Sequence, residues 1–418
     1  MKVEGVERVE KVEGVERVEK VERVEKVERS REVKVAVGLS GGVDSTVAAL
    51  LLKEQGHDVV GVTMTLGRAD EAKSLAEARA AARLDIPLEV FDFSAAWHDN
   101  ILQNVVKTYL GGRTPNPCVR CNETVKFGLL PRAAFELGCE RFATGHYARI
   151  AIKHGDTETQ RGGMCSVSPC LRDENPSLLR AVDRTKDQSY FLYRVKPEIL
   201  ARTIFPLGEL TKAEVRAKAR AFGLEVADKG DSQDFCGGDP MAIVGAAPRE
   251  GNIVTAGGKV LGKHPGYWNY TIGKRKGLGI GGGIPYYVIG LRAETNEVVV
   301  GFKEETVVRA FKITDCVRLA GRGVLPTQGG PDQECSLSSG GAGQMCGQDA
   351  LVLPTKPMAC PCSDDILTVK VRSAGEPKGP VFWRGDTVIC PDGLTGVAPG
   401  QSAVFYRGDE IVGGGIIV

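Results

Sequence analysis

Short apolar runs alternate with longer helix-favouring stretches over the first half of the chain. An apolar run of about four to eight residues suits a buried strand, whereas a helix needs about ten or more. Strands are predicted at 33–39, 58–65 and 88–93, and helices at 45–55, 69–84, 97–109 and 124–137. Strands that alternate with helices form right-handed βαβ units, so the pattern predicts an α/β fold with a parallel sheet covered on both faces.

The later part of the chain changes character. A further helix is predicted after Thr211, with Glu214 placed for a capping box and a stop at Gly223. From residue 253 onward the apolar residues fall in short strand-like runs separated by turn residues. Regular short strands of this kind predict a small β-barrel at the end of the chain.

Composition shifts divide the 418 residues into four parts. Residues 1–30 are a low-complexity charged tail of Val-Glu triplets, whose three-residue period matches neither a strand nor one face of a helix. An α/β domain, a central domain and a barrel domain follow at 31–205, 206–303 and 304–418, with insertions at 154–178 and 322–362. The insertions are punctuated by Gly and Pro, which predicts surface loops.

Whole-chain composition excludes few functions. The formal net charge is +1, so any nucleic-acid surface would have to be a local basic patch. The sequence has no run of about 18 apolar residues and no secretory signal, so no membrane partner is expected. The 12 cysteines are too irregularly spaced for a disulfide scaffold. Reduced thiols favour a cytoplasmic location, or an organelle if the source is eukaryotic.

The break between the first strand and the first helix is rich in Gly and Ser. Its residues are Gly38, Leu39, Ser40, Gly41, Gly42, Val43, Asp44 and Ser45. Glycines at this edge of a parallel sheet let backbone N–H groups approach an anion, and hydroxyl groups and the helix N-terminus add to the attraction. The Gly-Lys of a Walker A loop is missing. The pattern therefore predicts a phosphate cradle that is not a kinase-type or GTPase-type P-loop.

Three cysteines stand in polar, turn-rich surroundings. Cys118 and Cys121 follow two prolines and precede a predicted helix, whose N-terminus would lower the pKa of a thiol. A lone Cys-x-x-Cys pair suits half of a zinc site, a redox pair or two unrelated thiols. Cys236 lies in a Gly-flanked polar loop at 229–239, where a core cysteine would be unexpected. The residues by themselves leave these alternatives open.

Six further motifs occur in the order of a known family. They are RTPNPCxxCN (113–122), ATGHYAR (143–149), DRTKDQSYFLY (183–193), DSQDFC (231–236), YTIGKRKGLGI (270–280) and APGQSAVFYRGD…GGG (398–415). Together with SGGVDS (40–45), they resemble the tRNA-specific 2-thiouridylases (the MnmA/TrmU family) of the PP-loop ATP pyrophosphatases. The resemblance covers nearly everything from residue 33 onward except the insertions. It implies a parallel sheet of the adenine-nucleotide α-hydrolase-like type in a PP-loop adenylation domain, followed by a central tRNA-binding domain and a C-terminal barrel.

The family's chemistry is ATP-dependent sulfur transfer. ATP adenylates O2 of the wobble uridine-34 in tRNA, and sulfur then replaces that oxygen to give 2-thiouridine, AMP and PPi. The resemblance implies ATP contacts from residues 38–45, Met64 and Gly145, with Asp44 at Mg²⁺. It implies that Cys236 accepts a persulfide from a partner, a cysteine desulfurase or a sulfur relay protein. Cys121 is the second catalytic thiol, and reduction of a Cys121–Cys236 disulfide would reset the enzyme.

The position of Cys118 varies within the family, where some members have Asp. Cys118 therefore either replaces that carboxylate in positioning the target base or joins Cys121 and Cys236 as a ligand of a 4Fe-4S cluster. Three cysteines with one open iron site suit such a cluster. The resemblance also places Asn116 and Pro117 beside the target base.

Contacts with the anticodon loop of tRNA are implied at scattered positions. They are His146, Lys186, Asp187, Gln188, Lys274, Arg275, Lys276, Arg372 and Gln401. Lys274 replaces a commoner Gln and adds charge to a basic turn suited to phosphates. Ser373 stands where an aromatic is expected, which weakens the correspondence near Arg372.

Two other functions compete with tRNA thiolation. The first is another PP-loop adenylating enzyme, such as a GMP synthetase, although the sequence shows no glutaminase nucleophile pattern. The second is a non-catalytic, metal-containing RNA-binding protein, against which the intact Ser40 and Asp44 count.

Overall fold

The computed structural model describes residues 32–68, 71–82, 85–153, 175–224, 227, 240–281, 283, 285–319 and 366–418. The charged tail, the insertion at 322–362, most of the insertion at 154–178 and Cys236 lie outside these residues. None of the helices in the described ranges has the length and hydropathy that a bilayer span requires.

The elements are numbered in chain order. The strands are β1 Lys34–Gly38, β2 Asp58–Thr65, β3 Leu88–Asp92, β4 Arg141–Thr144, β5 Ala148–Lys153, β6 Asn175–Arg180, β7 Thr203–Ile204, β8 Gly251–Thr255, β9 Val260–His264, β10 Tyr287–Arg292, β11 Glu297–Gly301, β12 Val307–Arg318, β13 Leu367–Lys370, β14 Lys378–Arg384, β15 Thr387–Thr395, β16 Ser402–Arg407 and β17 Glu410–Ile417. The helices are α1 Val43–Glu54, α2 Glu71–Ala82, α3 Ser94–Trp97, α4 Gln103–Leu110, α5 Pro117–Cys121, α6 Leu130–Glu136, α7 Pro197–Leu200, α8 Lys212–Ala221 and α9 Pro240–Val244. π-helical segments His98–Leu102 and Asn122–Leu129 join α3 to α4 and α5 to α6, and short 3₁₀ helices lie at Ser189–Leu192, Tyr267–Asn269 and Lys303–Thr306.

The first sheet has the order β3-β2-β1-β4-β7, and all of its strands are parallel. Its middle strand β1 is apolar and buried, since Val35, Ala36 and Val37 have no exposed surface. In helix α1, Val47 and Ala48 are likewise fully buried. The predicted α/β fold with a parallel sheet is confirmed. The carboxyl ends of β1, β2 and β4 meet at one edge, which positions the site described below.

Helix boundaries follow local capping. Thr211 and Glu214 form the expected capping box at the start of α8. The helix predicted from 124 begins earlier, at Pro117, because the Asn116 side chain accepts a hydrogen bond from the Val119 N–H and proline is well tolerated at the first helical position. Helices α5 and α6 and the π-helical segment between them are continuous and are called the cysteine helix.

The second and third sheets form the later domains. The second has the order β10-β11-β8-β9, and its buried core includes Trp268, Val288 and Val298. In the third sheet, strands β12-β15-β14-β13-β16-β17 close on themselves through the β12–β17 pairing. The expected small central domain and C-terminal β-barrel are thereby confirmed.

The barrel is joined to the first domain by a shared sheet and a shared core. Strand β17 pairs with β6, which pairs with β5, so the third sheet continues into the first domain. Strand β6 begins at Asn175 and thus overlaps the end of the insertion predicted at 154–178. Tyr190 and Tyr193 pack with Tyr406 of the barrel in one buried cluster. The barrel is therefore placed against the segments that flank the site.

Candidate functional site

The loop between β1 and α1 is shaped by a glycine and by hydrogen bonds between its two serines. Gly41 has a φ of 78°, and a Cβ there would lie 2.3 Å from the backbone carbon of Glu77, so only glycine fits. The Ser45 hydroxyl accepts from the Ser40 N–H at 3.2 Å and lies 3.1 Å from the Ser40 hydroxyl. Gly42 is the N-cap of α1, and because glycine has no side chain, no side-chain hydrogen bond caps the first N–H groups of the helix. Backbone donors at the start of α1 can therefore serve a bound anion.

Gly145, at the end of β4, lies against the start of α1. A Cβ at this position would be 2.7 Å from the backbone carbon of Asp44 and 2.8 Å from the Ser45 nitrogen. Glycine is thus needed for the close approach of β4 to the loop, which explains why the two motifs, about a hundred residues apart, belong to one site.

A cavity of about 210 Å³ opens at this edge of the sheet. Seven of the predicted ATP-contacting residues line it: Gly38, Leu39, Ser40, Asp44, Ser45, Met64 and Gly145. Gly41, Gly42 and Val43 belong to the same loop but are not among its lining residues. His146 and Gln188, for which the resemblance implied tRNA contacts, line the cavity too. Lys126 and Thr144 also line it and were not singled out from the sequence.

The carboxylate of Asp44 is held by two residues that the sequence analysis missed. The Lys212 ammonium lies 2.8 and 2.9 Å from its two oxygens, and the Tyr147 hydroxyl donates to it at 2.9 Å. Lys212 follows the N-cap of α8, so the capping box fixes the backbone from which this side chain reaches. The charge of Asp44 is accordingly balanced by a partly buried cation.

His146 is a neutral imidazole within an aromatic cluster. Its Nδ1 lies 2.8 Å from the Thr144 hydroxyl, and its ring packs against Phe127 and Phe205. Burial, assisted by the charge of Lys126, lowers the pKa of His146 to about 3. The side chain therefore acts at neutral pH as an uncharged hydrogen-bonding group.

Cys118 and Cys121 lie in α5, at the start of the cysteine helix. Cys118 is half-buried and Cys121 is buried, and both are free thiols. Burial raises the pKa of both thiols, and the charge of Lys126 only partly opposes it. The prediction that these pKa values are lowered is wrong, because burial removes the thiols from solvent and disfavours the thiolate. Both thiols are protonated at neutral pH.

The segment before these cysteines is held by the barrel. Asn116 donates from Nδ2 to the Tyr190 hydroxyl at 3.2 Å, and that hydroxyl donates to the Ser402 carbonyl at 3.0 Å. The Gln401 side chain donates to the Thr114 and Pro115 carbonyls. Gln401 thus contacts the protein backbone beside the predicted base site.

The other residues implied in tRNA contact fall into two groups. The Asp187 carboxylate is fully buried and accepts from Arg180 and from the Ala181 and Ser189 N–H groups, while Lys186 is half-buried. Lys274, Arg275, Lys276 and Arg372 are exposed and are called the basic patch. A Cβ on Gly273, next to Lys274, would lie 3.9 Å from the Gly396 Cα. The Arg372 side chain packs against Gly396, so Arg372 lies close to the turn that bears the three other basic residues.

Cys236, the predicted persulfide acceptor, lies outside the described residues. Within the described ranges, no group of three His, Cys, Asp or Glu side chains is arranged to hold a metal ion.

Three family models match successive parts of the chain. The tRNA methyl transferase HUP domain matches residues 33–237, the tRNA methyl transferase PRC-barrel domain 244–302, and the aminomethyltransferase β-barrel domain 361–417. The order agrees with the three sheets described above.

Relatives match over nearly their whole length. The tRNA-specific 2-thiouridylase of Endomicrobium trichonymphae is 39% identical over 411 residues, covering 93% of this chain and 99% of that protein. Those of Trichormus variabilis and Geobacter metallireducens are each 38% identical, covering 92% of this chain and 98% and 96% of their own lengths. With this identity and coverage, the chain belongs to the family of tRNA-specific 2-thiouridylases.

Proposed function

We propose that this protein uses ATP to convert uridine-34 of tRNA to 2-thiouridine. The observation that carries the proposal is the cavity that Ser40, Asp44 and Ser45 of the loop share with Lys126 and Leu130 of the cysteine helix. A nucleotide held at the loop would face the helix that bears Cys118 and Cys121. Membership of the thiouridylase family supports the same activity.

The first step is adenylation of the base. O2 of the uracil attacks the α-phosphorus of ATP, an O–P bond forms, and pyrophosphate leaves. The Ser40 and Ser45 hydroxyls and the backbone N–H groups at the start of α1 are the donors available to the phosphates. After this step AMP can leave from C2, whereas the original oxygen would be a far poorer leaving group.

Mg²⁺ fits the Asp44 carboxylate, which offers the oxygen ligands that this ion prefers. The ion would neutralise phosphate charge during adenylation. Because Lys212 already pairs with Asp44, ion binding requires the Lys212 ammonium to leave that carboxylate, and the nucleotide phosphates are a new partner for it.

The second step is sulfur transfer. Cys236 bears a persulfide received from a donor protein, and its terminal sulfur forms the bond to C2 as AMP departs. In the direct route, Cys121 then attacks the Cys236 sulfur, which breaks the S–S bond and releases the thiolated base. In the other route, Cys121 attacks the Cys236 sulfur first and releases sulfide, which attacks C2. In both routes the persulfide sulfur is reduced, Cys121 and Cys236 are oxidised to a disulfide, and a thiol reductant restores them.

A 4Fe-4S cluster is the alternative sulfur carrier. It requires three protein thiols, of which the described residues supply Cys118 and Cys121. With no cluster, Cys118 stands beside Asn116 and Pro117 as part of the surface that positions the base.

The basic patch is the proposed surface for the tRNA backbone, because exposed Lys and Arg side chains bind phosphates. A splayed anticodon base then enters the space beside Asn116. The free thiols Cys118, Cys121, Cys139, Cys316 and Cys390 suit a reducing cytoplasm.

Thiolation of a uridine-34 tRNA by anaerobically purified protein tests the proposal, with iron and sulfide measured on the same sample. Cys316→Ser, which removes an exposed barrel thiol, is the control. Loss of activity in Cys236→Ser and Cys121→Ser but not in Cys118→Ser supports the persulfide route. Loss in all three, with bound iron, supports the cluster.

The same assay separates the competing functions. An adenylating synthetase of another kind would consume ATP without tRNA and form no 2-thiouridine. A non-catalytic RNA-binding protein would bind tRNA but form no AMP, and Asp44→Asn would leave its tRNA binding unchanged.

A further inference from the structure

The cysteine helix is held by an ion pair just beyond its two thiols. Glu123, two residues after Cys121, lies 2.9 Å from Nε of Arg194. The Arg194 and Glu123 side chains are only 12% and 23% exposed, so the pair is largely removed from water. A charge in such a place is costly to leave without its partner, and the pair therefore ties its two segments together more firmly than a surface pair would.

Arg194 also joins this helix to the barrel. Its Nη1 donates at 2.8 Å to the carbonyl oxygen of Asp315, in strand β12. Asp315 has a φ of 48°, which is uncommon for a residue other than glycine, and lies within a register shift of the β12–β17 pairing. A shift of this kind disrupts the ladder locally and leaves backbone groups available for other partners. One guanidinium therefore binds a carboxylate of the helix and a carbonyl of the barrel.

Glu123 lies where the cysteine helix widens. Residues Asn122–Leu129 are π-helical. A Cβ on Gly128 would lie 2.9 Å from the Glu123 carbonyl oxygen, so glycine is needed for the close approach within this turn. π-Helical turns are rare and often lie at functional sites. The ion pair thus holds the helix at its least regular turn.

The helix has a second anchor on the other side of its thiols. There, the Asn116 amide donates to the Tyr190 hydroxyl at 3.2 Å. Tyr190 and Arg194 are four residues apart, so one short segment supplies the partners of both Asn116 and Glu123. The stretch of helix that bears the two thiols is consequently fixed at both of its ends.

We propose that Arg194 is a positioning residue for sulfur transfer. By tying Glu123 to the Asp315 carbonyl, it fixes the turn that follows Cys121 and hence the direction from which that thiol approaches the reacting sulfur. The role rests on the proposed function, in which Cys121 must meet the Cys236 sulfur. A displacement of about 1 Å can slow a reaction between positioned groups a hundredfold, so this support matters for rate.

A double-mutant cycle tests the inference. Arg194→Met and Glu123→Met each break the pair, and the double variant removes both partners. We expect kcat for thiolation of a uridine-34 tRNA to fall about tenfold in each single variant. The double variant should also lose about tenfold, and not about a hundredfold, since neither side chain acts without the other. The Kd values for tRNA and for ATP should stay within about twofold of those of the unsubstituted protein.

Arg292→Met is the matched control. Arg292 pairs with Glu297 at 3.1 Å, and the Glu297 side chain is 23% exposed, as that of Glu123 is, but this pair lies in the central domain. Its loss should leave kcat unchanged.

Hydrogen exchange of the full-length protein gives a readout without tRNA or turnover. Amides in peptides that cover residues 122–129 should exchange about fivefold faster in Arg194→Met and Glu123→Met, because local opening of this turn becomes easier. Amides of helix α1 should exchange as before, and Arg292→Met should change neither region.

Full kcat in both single variants overturns the inference, as do additive losses in the double variant. A loss of tRNA affinity equal to the loss of kcat also overturns it and makes Arg194 an RNA contact. Failure of both single variants to fold would reduce the pair to a structural role. If exchange over residues 122–129 quickens in the variants but the unsubstituted protein forms no 2-thiouridine, the proposed function fails and the Arg194 anchor stands.

Discussion

The side-chain amide of Gln401, at the start of the last β-hairpin of the barrel, donates a hydrogen bond of 2.7 Å to the carbonyl oxygen of Pro115. The Thr114 N–H donates in return to the Pro399 carbonyl at 2.8 Å. A Cβ on Gly400 would lie 2.7 Å from the Thr114 oxygen, so the two backbones are in close contact. The barrel therefore clamps the segment that leads into Asn116 and the cysteine helix.

Gln401→Ala should loosen this clamp. We expect kcat for thiolation to fall about tenfold, because small displacements of a positioned group slow a reaction strongly. The Kd for tRNA, measured by filter binding, should stay within about twofold. Gln103→Ala, at an exposed position of α4, is the control. A tenfold weaker Kd with unchanged kcat would instead make Gln401 a direct RNA contact.

Lys212→Met should release the Asp44 carboxylate. Removing a partly exposed ion pair worth about 1 kcal/mol should tighten binding of Mn²⁺, as a probe for Mg²⁺, about fivefold in the nucleotide-free protein. Adenylation, followed as tRNA-dependent pyrophosphate release, should fall at the same time, since the cation available to the phosphates is lost. Unchanged Mn²⁺ affinity, measured by electron paramagnetic resonance, would show that the pair does not control the site.

Gly145→Ala should damage nucleotide binding. The added methyl would lie 2.7 Å from the backbone carbon of Asp44, so the start of α1 must move. We expect the Kd for ATP, measured by calorimetry, to rise about tenfold. Gly281→Ala is the matched control, because a Cβ there has no heavy atom within 4 Å. Equal affinities of the two variants would contradict the close-approach argument.

Cys390 should make the barrel sensitive to alkali. Burial raises the pKa of its thiol from 9.0 to about 11. A group whose pKa is higher in the folded than in the unfolded state contributes to stability at pH values below its unfolded-state pKa. For Cys390 this contribution is lost as the pH rises from about 9 to 11. Urea unfolding at pH 8 and 11 should show a loss of about 2 kcal/mol that Cys390→Val lacks. Identical pH slopes for the two proteins would rule this out.

Local sequence patterns predicted the elements of the site well. The apolar run of β1, the glycines of the following loop and the capping box of α8 each act within a few residues, so their signals are visible in the chain alone. The start of the cysteine helix was missed, since a proline after Asn116 indicates a turn as readily as a first helical position.

Sequence by itself determined the fold class and the glycine-rich turn between β1 and α1, because hydrophobic period and turn chemistry are properties of neighbouring residues. Tertiary structure decided the rest. It paired Lys212 with Asp44 across 168 positions and placed His146 and Gln188 in the cavity beside the glycine-rich loop. It also buried Cys121 and half-buried Cys118, and this burial raises the pKa of both thiols, against the expected direction. Solvation and charge at a site depend on which distant segments pack around it, and no local pattern records that.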